Sequence, residues 1–75
     1  MQYYYYEVKA YGHRFIVHLG GCPQCNYGRF KPRKQYAFNI GHWSIPFNSC
    51  EEIKILAKQT GAKIVKCREC HPPCP

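Results

Sequence analysis

A small α+β domain, held by more than its own core, is what this sequence predicts, and three observations predict it. The chain has 75 residues. That is one domain, spanning 1–75, and a fold of this size buries only about 60–65% of the surface its unfolded chain exposes. Chains this short commonly need a staple: disulfides, a metal ion or a partner. Six cysteines are present, four of them in two Cys-x-x-Cys pairs, CPQC at 22–25 and CREC at 67–70. Apolar residues recurring at period two or at helical spacing divide the remainder between short strands and one helix.

The first strand is expected over 3–10. Tyr3, Tyr5, Glu7 and Lys9 point one way, and Tyr4, Tyr6, Val8 and Ala10 the other. The second set is the better core face, and aromatic and β-branched residues suit a pleated surface. Tyr11-Gly12 makes a turn, and a second strand over 14–19 carries Phe15, Val17 and Leu19 on one side. The two strands form an antiparallel hairpin. Gly20-Gly21 breaks the second strand, and a knuckle follows at once in Cys22-Pro23-Gln24-Cys25-Asn26-Tyr27-Gly28. In such a turn, backbone N–H groups point at the first thiolate, and a glycine such as Gly28 relieves the tight curl.

A basic loop, RFKPRK at 29–34, leads to a third strand expected over 35–40, where Tyr36, Phe38 and Ile40 alternate. Residues 41–46 then turn the chain, with Trp43 as the large apolar anchor. The helix is expected over 49–60. Ser49 with Glu52 makes a capping box. Glu51 and Glu52 in the first turn suit the helix dipole, and Gly61 stands where a C-terminal cap belongs. Its inward stripe is Cys50, Ile53, Leu56, Ala57 and Thr60. A short strand over 63–66 delivers the second cysteine pair. The Pro-rich tail His71-Pro-Pro-Cys-Pro is irregular.

The two cysteine pairs carry the chemistry. Zinc takes four ligands in a tetrahedron, with thiolate sulfur about 2.3 Å away. Two residues between cysteines let both sulfurs of a pair reach one ion from a single turn. Two pairs complete the shell, so Cys22, Cys25, Cys67 and Cys70 are assigned to one structural Zn²⁺. The 41 residues between the pairs, 26–66, exceed the spacing of a simple ribbon. The domain therefore reads as an elaborated zinc ribbon. The N-terminus has no basic region followed by an apolar run, and no stretch approaches the ~20 apolar residues of a membrane span. A cytoplasmic setting is expected, in which paired cysteines bind metal rather than each other. Cys50 reads as a buried thiol. Cys74 and His71 read as outside the primary shell, and His13, His18 and His42 as ordinary surface or packed side chains. CREC followed by His71 also matches the c-type haem attachment motif, but that chemistry needs export and leaves Cys22 and Cys25 without a role, so no haem is expected. A redox dithiol at CPQC lacks the helix that normally follows one.

The stretch PFNSCEEIKILAKQTGAKIVKCRECHP, 46–72, resembles the closing half of Ada-type zinc domains. Phe47, Ser49, Glu51, Glu52, Gly61, Cys67, Cys70 and Pro72 stand where that family has its phenylalanine, capped helix with paired glutamates, glycine and Cys-x-x-Cys with a following proline. The match covers about a third of the chain. The segment between Gly61 and Cys67 is longer here, and the first cysteine pair is tighter and further away. The resemblance implies a zinc domain with a helix behind the second ligand pair. It also brings an activity, alkyl transfer to a zinc-bound thiolate.

Net charge is +7, from 11 Lys and Arg against four acidic residues, all Glu. A four-thiolate zinc site carries about −2, which leaves roughly +5. That excess points to a polyanion, with nucleic acid, DNA or RNA, as the expected partner. The expected footprint is Arg29, Lys31, Arg33 and Lys34 interleaved with Tyr27, Phe30 and Tyr36, extended by Lys54 and Lys58. Cations bind phosphate, and aromatic faces stack on unpaired bases. The alternative is a protein-interaction adaptor docking on a larger nucleic-acid-processing complex through Tyr3 and Tyr5, since four tyrosines in a row leave an aromatic face exposed. No acid–base pair or nucleophile–base arrangement stands out, so an enzyme is not expected.

Overall fold

The computed structural model describes residues 2–9, 12–29 and 41–74. Four strands and one helix follow in the order β1 (Tyr3–Val8), β2 (Arg14–Leu19), β3 (Gly41–Trp43), α1 (Cys50–Thr60) and β4 (Lys63–Lys66). The sheet order is β3-β1-β2-β4. The expected hairpin forms, with Tyr3 opposite Leu19 and Val8 opposite Arg14. β3 adds antiparallel to the far side of β1, and β4 adds parallel to β2 with Arg14 opposite Lys63 and Val17 opposite Lys66. No helix among the described residues is long and apolar enough to cross a membrane.

β1 is an inner strand, and both of its faces are covered. Tyr3 and Tyr5 pack with Phe15, Val17, Ile53 and Ala57 on the face that α1 covers. The Tyr5 and Phe15 rings stack at 3.9 Å between centroids, 10° from parallel. Tyr4 lies in a second cluster with Cys22, Cys25 and Cys67, flanked by Trp43. The expected division of β1 into one core face and one exposed aromatic face is therefore corrected. A strand buried on both sides reads as a continuous apolar run, which is the meaning of YYYY. Tyr3 and Tyr5 are each only 9% exposed, so they do not offer the protein-docking surface expected of them.

The turn expected over 41–46 also departs from expectation. The segment 35–40 lies outside the described residues. The observed strand is Gly41–Trp43, where a turn was expected. Gly41 permits it, because a Cβ there would lie 2.3 Å from the Glu7 carbonyl oxygen. Trp43 then meets Tyr6 at 5.0 Å and His18 at 5.2 Å, edge to face in both cases.

The helix matches its caps. Ser49 Oγ accepts the Glu52 N–H at 3.4 Å. The Glu52 carboxylate accepts the N–H of Asn48 at 3.2 Å, one residue before the cap. Gly61, at φ 78°, is the left-handed C-cap. Cys50, Ile53 and Ala57 are buried as the stripe requires. Thr60 is exposed, and its hydroxyl donates back to the Leu56 carbonyl at 3.0 Å. Cys50 is not a free thiol: it forms a disulfide with Cys74, at a Cα separation of 5.4 Å. The bond ties the first residue of α1 to the tail, inside the cluster that holds Tyr5 and Ile53.

Candidate metal centre

The parallel pairing of β2 and β4 creates the site. Two parallel neighbours end at the same edge of the sheet, and each is followed by a Cys-x-x-Cys turn. The Cys67 N–H donates to the Val17 carbonyl at 2.9 Å, continuing the β2–β4 ladder into the second turn. The Cys22 N–H donates to the Leu19 carbonyl at 3.0 Å, fastening the first turn to the end of β2.

The two turns share one backbone device. The residue after each second cysteine is left-handed, Asn26 at φ 48° and His71 at φ 44°. Each donates its N–H to the carbonyl of the first cysteine, Asn26 to Cys22 at 2.8 Å and His71 to Cys67 at 3.1 Å. The sequence reading gave this relief to Gly28 alone. Gly28 is left-handed too, but Asn26 and Tyr27 already are, at φ 48° and 54°. The second turn follows the expected rule that N–H groups face the first thiolate, with Glu69 and Cys70 supplying them to Cys67. The first turn departs from it: Gly28 and Tyr27 direct theirs at the second sulfur, Cys25. A side-chain contact links the turns, Gln24 Nε2 to the Glu69 carboxylate at 3.3 Å.

All four predicted cysteines gather here as free thiols. Cys22 Sγ and Cys67 Sγ are 3.9 Å apart. A tetrahedral ion with sulfur ligands requires about 3.8 Å between sulfurs. The Leu19 N–H donates to Cys70 Sγ at 3.4 Å. Among the described residues, the donor atoms of His18, Cys22, Cys67 and Cys70 all lie within 4.8 Å of one another. Cys25 is fully buried in the same cluster. His18 was not among the expected site residues. It projects from β2 opposite Phe15 and Val17, is 7% exposed, and has a buried Nδ1 without a hydrogen-bond partner. An orphaned buried imidazole nitrogen beside thiols fits a metal site. Its signal in the sequence was a polar residue at the end of a strand, four positions before the first cysteine.

Burial and neighbouring groups shift the titration of the clustered side chains. Burial pushes the Cys25 thiol up, partly offset by the N–H groups of Gly28 and Tyr27. Cys70 is pushed up to about 12 by burial and by the neighbouring Cys22 and Cys67 sulfurs, against the Leu19 N–H. Burial acts the same way on Cys67, but the Cys70 and Glu69 N–H groups and contacts from the Cys70 and Cys22 side chains outweigh it, and its thiol is lowered. Burial lowers His18, against the Glu69 charge, which favours the neutral imidazole that can ligate or donate. Several thiolates cannot crowd together without compensation, and a divalent cation supplies it while releasing protons.

A cleft of about 560 Å³ adjoins the cluster, lined by Cys22 and Cys70 together with Leu19, Gly21, Pro23 and Tyr27. Of the expected nucleic-acid footprint, Tyr27, 56% exposed, and Arg29 lie on the surface just beyond the first turn. Lys58 is exposed and Lys54 half-buried on α1. Phe30, Lys31, Arg33, Lys34 and Tyr36 lie outside the described residues. No protein-family model, curated protein or solved structure matches the chain.

Proposed function

We propose that this chain is a zinc-held module that binds nucleic acid through its basic surface. The observation that carries the reading is the gathering of four cysteines, contributed from both ends of the chain, at one edge of the sheet. Because the two turns are alike in backbone, we assign Cys22, Cys25, Cys67 and Cys70 as the zinc shell. His18 is the neighbour whose ring N–H supports a thiolate. Such an ion holds the two turns together and leaves no position open for a reacting water. The net charge of +7 supports a polyanionic partner. So do Tyr27 and Arg29, exposed beside the metal centre, and the exposed Arg68 in the second turn.

The test has two parts. Native mass spectrometry should find one zinc per chain, and the cobalt-substituted protein should show an all-sulfur charge-transfer spectrum. A spectrum of three sulfurs and one nitrogen would exchange Cys25 for His18 in the shell. Binding to short single- and double-stranded DNA and RNA should weaken steeply as salt rises, because phosphate contacts release counterions. No measurable binding at low salt, or affinity indifferent to salt, rejects the nucleic-acid role.

A further inference from the structure

We propose that Cys70 is a modification site for small oxidants, and that its oxidation releases the metal. The inference rests on the metal-site reading above. Three of the four sulfurs are shut away, Cys22 at 3%, Cys25 at 0% and Cys67 at 8% exposure. Cys70 alone is partly exposed, although both it and the buried Cys22 line the open cleft beside the cluster. The cleft has apolar walls in Leu19, Pro23 and Tyr27, so it admits a small neutral reagent. Hydrogen peroxide is the chemical class that fits.

Cys67 is the partner sulfur. It sits in the same turn as Cys70, three positions away, and its side chain contacts that of Cys70. With metal bound, which would keep the coordinated Cys70 sulfur deprotonated, the Cys70 thiolate would attack one peroxide oxygen. The O–O bond breaks, a sulfenic acid forms, and the hydroxide that leaves takes a proton to become water. The Cys67 thiolate then attacks the Cys70 sulfur. An S–S bond forms and a second hydroxide leaves, also becoming water. Two thiolates lose two electrons, and one peroxide becomes two waters. With two of four donors consumed, the shell can no longer hold its ion. Cys50 and Cys74 take no part, because they are already joined on the other side of the sheet.

The experiment uses the full chain loaded with zinc. A limiting amount of N-ethylmaleimide, followed by peptide mapping, should place the first label on Cys70 while zinc is still largely bound. Limiting peroxide should give a Cys67–Cys70 disulfide, with zinc appearing in step with it in a chromogenic chelator. First labelling at Cys22, Cys25 or Cys67, or all four sulfurs reacting together, overturns the proposal. A cleft-filling variant gives an independent reading. Gly21 has no left-handed φ, and an added Cβ there meets only the Tyr27 hydroxyl, at 3.6 Å. Gly21→Leu should therefore keep zinc and slow the peroxide reaction several-fold. An unchanged rate overturns the proposal. A protein that binds no zinc at all fails the metal reading, whereas zinc-loaded protein with the wrong first label fails only this inference.

Discussion

Glu7 shows how much one side chain can gather. It lies on β1, takes His13 Nε2 at 2.5 Å and His42 Nε2 at 3.2 Å, and so joins β1 to the residue before β2 and to the middle of β3. Burial alone pushes its carboxyl up, but the His13 hydrogen bond and the charges of Lys9, His13 and His42 outweigh that, and the net shift is downward. A carboxyl lowered on folding stabilises the fold above its unfolded pKa, and that contribution disappears as pH falls through the lowered value. Thermal stability should therefore drop as pH falls below about 4.5, the ordinary value for this carboxyl. Glu7→Gln, already lacking the charge, should show a shallower acid loss in a pH series of melting curves. The residue types at this site were visible in the sequence. The triad itself was not, because it depends on Gly41–Trp43 pairing with β1 where a turn was expected.

At the scale of elements, local chemistry was the legible part. Capping residues, helical spacing and the glycine stop fixed α1 to within one residue, since short-range hydrogen bonds and steric rules decide such features. Ser49→Ala removes the acceptor for the Glu52 N–H. It should cost about 1 kcal/mol in denaturant unfolding, with zinc content unchanged. A variant that loses zinc instead would mean that the helix start supports the metal centre directly. The hairpin and the 63–66 strand were equally readable from alternation. What could not be read was which strands become neighbours. Whether β4 runs parallel to β2 is set by tertiary packing, yet that pairing places Cys67 beside the first turn. The same ignorance of neighbours hid His18 and led to an exposed face for Tyr3 and Tyr5.

The whole molecule has two cores on opposite faces of one thin sheet, one fastened by a disulfide and the other by the proposed metal centre. On one face lie α1, Tyr5, Phe15 and the Cys50–Cys74 bond; on the other lie Tyr4 and the four thiols. The two fasteners should fail separately. A chelator at neutral pH should strip zinc and loosen the two turns while the disulfide stays intact. A reductant strong enough to reach the buried Cys50–Cys74 bond should open it and lower stability by about 3 kcal/mol, the scale for a closed loop of this length, with zinc retained. Simultaneous loss of both on either treatment, read by circular dichroism and metal assay, would show a single fused core. The sequence reading expected reduced thiols throughout, because a lone cysteine on a helix and another in a tail give no sign that folding will bring them together. In chain order the six sulfurs alternate between two groups: 22 and 25 in the free-thiol cluster, 50 in the bond, 67 and 70 in the cluster, 74 in the bond. During synthesis, three reactive groups thus leave the ribosome before any correct companion from the far end exists. Early capture of zinc by the first pair would leave Cys50 without a wrong mate, so metal supply would decide whether a newborn chain scrambles before an oxidant closes Cys50 onto Cys74.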